Sequence, residues 1–219
     1  MNVFVTGGTG YIGRALVQSL VNDGHKVRGL ARPGSESKLP VGCQPIVGNA
    51  LDAASYREQV APAETFIHLV GTAHPGPGKK QQFHDIDLKS IESAVSAANF
   101  ARIRHFIYIS VAHPAPVMQA YIDVRMRGEE LIRRAGLNST IVRPWYVLGP
   151  GHWWPYALLP FYFLAEAFPG TREDALRLGL VTHGEMVGAL RCAVREPATG
   201  ISIMNVREIR RLGQLSAPY

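Results

Sequence analysis

Val5-Thr6-Gly7-Gly8-Thr9-Gly10-Tyr11-Ile12-Gly13 follows a short apolar lead, Asn2-Val3-Phe4-Val5, and opens into a helical pattern in which Ile12, Leu16 and Leu20 share one face. Gly7, Gly10 and Gly13 make a strand-to-helix turn with no Cβ to block a pyrophosphate, and the helix that follows offers its free N–H groups to those phosphates. A glycine triad alone says little. The strand before this one and the helix after it make it a dinucleotide-binding turn rather than a merely structural one. Gly7, Thr9, Gly10, Tyr11, Ile12 and Gly13 are therefore candidate cofactor contacts.

Asn22-Asp23-Gly24 ends the first helix, His25 to Ala31 reads as a second strand, and Arg32-Pro33-Gly34-Ser35 leaves it as a loop. In this fold an acidic residue at that place takes the ribose 2′-hydroxyl of NAD, whereas an arginine accommodates the 2′-phosphate of NADP. Arg32 stands there, with Arg28 nearby and no carboxylate before Glu36. The expected cofactor is NADP, with NAD as the alternative; the competing reading of Arg32 is a solvated loop charge.

Further strands are expected at Gln44 to Val47, Thr65 to Val70, Arg104 to Ser110 and Asn138 to Arg143. Asp52 is a candidate N-cap for a helix after the third strand, and helices are expected from about Gln82 to Phe100 and from about Gln119 to Ala135. The alternation of strands and helices gives an α/β fold, a doubly wound parallel sheet of Rossmann type. In such sheets ligands lie outside the carboxyl ends of the strands. Asn49, Leu69, Gly71 and Pro144 fall there and join the cofactor-binding candidates, Gly71 because it would let the backbone pass close to the cofactor.

The chain has 219 residues, of which 47% are hydrophobic, enough for a sizeable core. Residues 1–219 read as one NAD(P)-binding domain in which 145–219 supply most of a small substrate or lid lobe. The net charge of +6 comes from dispersed Lys and Arg residues, tightest at Arg207, Arg210 and Arg211, which argues against nucleic acid and fits a cofactor with extra phosphate. Cys43 and Cys192 have no metal-like spacing, and neither do His68, His74 and His84, so no metal is expected. No signal segment is visible at Met1, and the expectation is a cytoplasmic protein with reduced thiols. No apolar run is long enough to span a bilayer.

His152 to Phe168 gathers Tyr156, Phe161, Tyr162, Phe163 and Phe168 with Trp153 and Trp154, and Glu166 is its one charged residue. It reads as a packed cover on the sheet, as an apolar wall over the nicotinamide suited to an apolar or aromatic substrate, or as a surface making peripheral contact with a membrane. Ser110 ends the fifth strand where an active site belongs. Eleven residues on, Tyr121 and Arg125 share one helical face.

Gly7-Gly8-Thr9-Gly10-Tyr11-Ile12-Gly13, Tyr108-Ile109-Ser110-Val111 and Ile141-Val142-Arg143-Pro144 followed by Gly149-Pro150-Gly151 resemble the short-chain dehydrogenase/reductase superfamily, in its atypical and extended branch. Within it the chain is similar to the nucleotide-binding accessory subunit of respiratory complex I and to NmrA-type redox sensors. In active members a serine after the fifth strand and a Tyr-x-x-x-Lys pair do the chemistry. The resemblance assigns two of those places to Ser110 and Tyr121. Arg125 stands where the lysine belongs, and Asp87 stands about where many active members have an asparagine.

A tyrosine acting as general acid, with an ordinary pKa near 10, benefits from a cation one helical turn away. Arg125 supplies that charge, but on a longer, planar group than an ammonium. The leading expectation is an oxidoreductase that moves hydride between NADP(H) and a carbonyl or quinone-like apolar substrate. The rival is a non-catalytic NAD(P) sensor or scaffold with a protein partner. A sugar-nucleotide epimerase ranks third.

Overall fold

In a computed structural model of the chain, residues 1–72, 75–149 and 177–215 are described. The apolar lead is β1 (Asn2–Thr6), and the glycine turn delivers the chain to α1 (Tyr11–Asn22). β2 (Lys26–Ala31), β3 (Gln44–Val47) and β4 (Thr65–His68) follow. Instead of a helix after β3 there are two 3₁₀ turns, Ala53–Ser55 and Arg57–Gln59, the first capped by Asp52 through the Ala54 N–H at 3.0 Å. Pro62 leaves too few residues there for a longer helix.

A helical run starts at Lys80–Gln82, widens to a π-helical stretch at Phe83–Leu88 and continues as α2 (Lys89–Phe100). β5 (His105–Ile109), α3 (Gln119–Arg134) and β6 (Ser139–Val142) complete the expected order. Beyond it lie β7 (Tyr146–Leu148), β8 (Leu180–Thr182), α4 (His183–Arg195), β9 (Ile201–Met204) and α5 (Val206–Leu215).

Among the described residues seven strands form one parallel sheet in the order β3-β2-β1-β4-β5-β6-β9. The order reverses between β1 and β4, which sets the crevice for a ligand at their carboxyl ends. Side chains alternate between the two faces. Val3, Val5, Ile67, Ile107 and Val142 pack under α1 and α4, whereas Phe4, Phe66, Phe106 and Ile141 pack under α2 and α3. Each such fully buried side chain contributes about 1.5–3 kcal/mol, so the sheet core dominates stability.

Of the segment 145–219, β9 is the edge strand of this sheet, and α4 packs on α1 and α5. Tyr146–Leu148 is a further strand, not among those expected from sequence, and pairs in parallel with β8. That partner is more than 30 residues distant in sequence, beyond the reach of local pattern. The aromatic stretch His152 to Phe168, together with His74, Pro150 and Gly151, lies outside the described residues.

Candidate functional site

The glycine turn is built as the sequence requires. Gly7 has φ +78°, and a Cβ there would sit 2.8 Å from the Leu69 carbonyl carbon, so Gly7 and Leu69 touch backbone to backbone. A Cβ on Gly13 would overlap the Gly7 carbonyl oxygen. Gly10 occupies the N-cap position of α1. It supplies no side-chain cap, and no carboxylate sits in the first turn. Uncapped N–H groups at the end of a twelve-residue helix, beside an exposed glycine, fit a dinucleotide pyrophosphate.

The other cofactor candidates are placed as follows. Tyr11 packs its ring on His183, 4.5 Å between centroids, and its carbonyl lies 3.2 Å from His183 Nε2, which ties the turn to the start of α4. Ile12 packs partly buried against the core, and Thr9 lies on the turn. Arg32 is exposed immediately beyond β2, whereas Arg28 is committed elsewhere, donating to Gln44 Oε1 and to the Gln59 and Ala61 carbonyls. Asn49 braces its own loop, its Oδ1 accepting from the Leu51 N–H at 3.0 Å. The Pro144 carbonyl accepts from the Ala112 N–H at 2.9 Å and joins the loops after β5 and β6.

Tyr121 and Arg125 come together on α3. The Arg125 guanidinium carbon lies 5.1 Å from the centroid of the half-buried Tyr121 ring and 5.8 Å from that of Tyr108. Both arms of the guanidinium are occupied. Nη2 donates to Asp87 Oδ1 at 2.6 Å and Nη1 to the Ile109 carbonyl at 3.0 Å. The other Asp87 oxygen accepts from the Thr72 N–H at 3.0 Å and hydroxyl at 2.6 Å. Burial disfavours charge on Arg125, the Asp87 carboxylate favours it, and its pKa lies above the ordinary arginine value. Burial pushes the Tyr108 phenol up to about 12, so it stays protonated.

Gly71 lacks a side chain at the point where one would overlap Arg125 Nη2. In this chain the space beside Gly71 belongs to the guanidinium. Its exposed backbone still stands on the crevice side of β4.

Ser110 takes a different partner. Its hydroxyl donates to Glu129 Oε1 at 2.6 Å in the interior, and Glu129 accepts from Arg143 Nε at 2.9 Å and Nη2 at 2.5 Å. His113 Nε2 is 3.6 Å from the same carboxylate. Sequence reasoning did not name Glu129. The signal was present: Tyr121, Arg125 and Glu129 recur at i, i+4 and i+8, so a second charge falls on the buried face of α3.

His68 is a core histidine, 2.8 Å from Thr6 Oγ1 and 3.2 Å from Ser90 Oγ. Cys43 is a free thiol, and the Cys192 thiol lies 3.9 Å from the Leu212 carbonyl oxygen. Among the described residues no group of three or more His, Cys, Asp or Glu is arranged to hold a metal, and no helix is long and apolar enough to cross a membrane.

A parallel sheet with this strand order, with a glycine-lined helix N-terminus at its switch point, defines a dinucleotide-binding Rossmann fold. The sequence pattern of the NAD(P)H-binding family matches residues 7–150, and the chain belongs to that family. Among curated relatives it is 28% identical over 171 residues to a 4-hydroxy-2-methyl-3-oxo-4-farnesyl-3,4-dihydroquinoline-1-oxide ketoreductase of Stigmatella aurantiaca, covering 68% of this chain and 51% of that one. It is 25% identical over 213 residues to a ceramide reductase of Caulobacter vibrioides, covering 96% and 66%. It is 29% identical over 147 residues to the photosystem II assembly factor Ycf39 of Cyanophora paradoxa, covering 65% and 44%. The chain thus spans about half to two thirds of the length of the first two relatives. In fold it is similar to a short-chain dehydrogenase/reductase superfamily protein from Agrobacterium tumefaciens with bound NAD, at 19% identity and TM-score 0.68, covering 94% and 77% of the two chains. A UDP-N-acetylglucosamine 4-epimerase from Bacillus cereus matches at 19% identity and TM-score 0.67, covering 96% and 83%.

Proposed function

We infer that the protein is an oxidoreductase that moves hydride between NADP(H) and the carbonyl of an apolar substrate, with Tyr121 as the proton donor. The observation that carries this reading is the fixed guanidinium of Arg125 against the Tyr121 ring, held from behind by Asp87 and from the side by the Ile109 carbonyl. The bound nicotinamide supplies the hydride that the carbonyl carbon takes. Tyr121 gives its phenolic proton to the carbonyl oxygen, which leaves an alcohol, and Arg125 stabilises the phenolate left behind. Gly7, Gly10, Gly13 and the N-terminus of α1 hold the pyrophosphate, and Arg32 takes the 2′-phosphate. The names of the ketoreductase and ceramide reductase relatives support a reductase acting on large apolar molecules.

Ser110 holds its proton on Glu129, so we read it as a positioning residue that fixes the end of β5 rather than as a direct partner of the substrate oxygen. The same commitment favours the second reading, a dinucleotide-binding scaffold without turnover, as does the occupied guanidinium of Arg125. Loading the protein with NADPH and following nicotinamide absorbance against a panel of ketones and quinones decides between them. Oxidation that disappears in Tyr121→Phe, with NADPH affinity intact, supports the reductase. An unaffected rate in that variant removes Tyr121 from the chemistry, and tight binding with no oxidation across the panel moves the protein to the scaffold class.

A further inference from the structure

His68 ends β4 in register with Thr6, the last residue of β1, where the strand order reverses. Both side chains are buried, and so are Ser90 and Asp87. Thr6 Oγ1 lies 2.8 Å from His68 Nδ1, and His68 Nε2 lies 3.2 Å from Ser90 Oγ. Ser90 also donates its hydroxyl proton to the Asp87 carbonyl at 3.0 Å. A serine has one proton to give, so toward His68 its oxygen accepts. Both contacts of Ser90 are therefore satisfied only by the Nε2–H tautomer, which leaves His68 Nδ1 to accept from the Thr6 hydroxyl. The donors run in one direction, from Thr6 to His68, from His68 to Ser90, and from Ser90 to the main chain of Asp87.

This chain of donors ends on the residue that holds Arg125, since Asp87 Oδ1 accepts from Arg125 Nη2 at 2.6 Å. A second contact converges on the same guanidinium. The His68 ring stacks on Tyr108 with centroids 6.0 Å apart, and the Arg125 guanidinium carbon lies 5.8 Å from the centroid of that Tyr108 ring. Burial, with Arg125 adding to the effect, lowers the His68 pKa to about 3, so the imidazole is neutral. A neutral donor suits the place, because a second buried cation would repel Arg125 and compete for the Asp87 carboxylate.

We propose that His68 is a positioning residue for Arg125. Through Ser90 and the Asp87 main chain it ties the guanidinium beside Tyr121 to the end of β1, which carries the glycine turn. The proposal draws on the reductase reading only for the use of that guanidinium in proton transfer, and the tie itself is measured without turnover. It sets a substitution pattern. A glutamine amide reaches the place of Nε2 and donates to Ser90, whereas an asparagine amide reaches that of Nδ1 and leaves Ser90 without its donor.

The test follows hydrogen exchange at the buried Arg125 Nε–H by ¹H–¹⁵N NMR of the full chain, with the β5 amides as the measure of overall stability. The ring ¹⁵N shifts of His68 are expected to show the Nε2–H tautomer. Relative to the β5 amides of the same protein, Arg125 exchange is expected to speed up about tenfold in His68→Asn and in Ser90→Ala, and to stay within about threefold of the parent in His68→Gln. Ser90→Ala removes a single oxygen and carries the test should the His68 variants fail to fold. An Nδ1–H tautomer, or Arg125 exchange that follows the β5 amides in every variant, overturns the proposal and leaves His68 as core packing alone. Selective loss of Arg125 protection in a protein that oxidises no NADPH upholds the tie and counts against the reductase reading alone.

Discussion

Asp87 and Arg125 meet at 2.6 Å in the interior, the carboxylate fully buried and the guanidinium 6% exposed, although 38 residues separate them in sequence. The pair explains two departures from the dehydrogenase/reductase pattern with one contact. A guanidinium in place of an ammonium needs more donors satisfied, and a carboxylate in place of an amide supplies the acceptor and the opposite charge. Gly71 then completes the exchange, because any side chain at that position would collide with Arg125 Nη2. Asp87 lies buried within the π-helical stretch Phe83–Leu88.

Because the two groups are buried together, removing one should cost more than exchanging both. Asp87→Ala or Arg125→Met alone is expected to destabilise the protein by about 3–5 kcal/mol, as an uncompensated buried charge does. The double exchange Asp87→Ala with Arg125→Met removes both charges together and should recover most of that loss. Urea unfolding of the four proteins reads the coupling directly, and additive single effects would show that the pair is not a unit.

The parts of the molecule that were legible in the sequence are those in which neighbours in the chain are neighbours in space. Val5 to Gly13 encodes strand, turn and helix within nine residues, and the apolar runs of β4 and β5 match strands covered on both faces. Asp87 and Arg125 were each visible as departures, but their contact was not, since no helical or strand period links positions 38 apart. Ser110 was placed at its strand end from sequence, whereas its hydrogen bond to Glu129 depends on how α3 docks on β5. β7 escaped because a three-residue strand has no period to read, and its partner β8 enters much later.

The Ser110 to Glu129 bond separates a positioning serine from one that polarises substrate. With Ser110→Ala, Glu129 keeps both bonds from Arg143, and the loss of one charged hydrogen bond is expected to cost about 1.5–3 kcal/mol of stability. Turnover should fall by no more than about fivefold, against the 100-fold or greater loss typical of removing a general acid and expected for Tyr121→Phe. A 100-fold loss of kcat/KM in Ser110→Ala would return the hydroxyl to the substrate oxygen.

Arg32 carries the expectation of NADP. It is exposed at the end of β2, where a 2′-phosphate would add a charge-assisted bond, and Arg28 is not available to share the task because it is bound to Gln44 and two carbonyls. Arg32→Ala is therefore expected to weaken NADPH roughly tenfold or more and leave NADH unchanged, as measured by fluorescence titration. Equal losses for the two cofactors, or none, would reassign Arg32 to the solvated loop.

Two buried histidines predict how stability responds to acid. Burial lowers the His68 pKa to about 3, with Arg125 adding to the effect, and burial alone lowers that of His105 to about 4. Above the unfolded value of about 6.5 both imidazoles are neutral in the folded and unfolded chain alike, and pH has no leverage through them. Below 6.5 the unfolded chain takes up protons that the folded one refuses, so stability falls as pH drops from 6.5 toward 4 and 3. At pH 5 the loss should reach about 2 kcal/mol for each histidine, in a range where most carboxylates are still ionised in both states. Urea unfolding at pH 7.5 and at pH 5 measures the sum, and His105→Gln should remove close to half of the difference. A free energy of unfolding that stays flat between those two pH values would show that both imidazoles accept protons without unfolding the sheet.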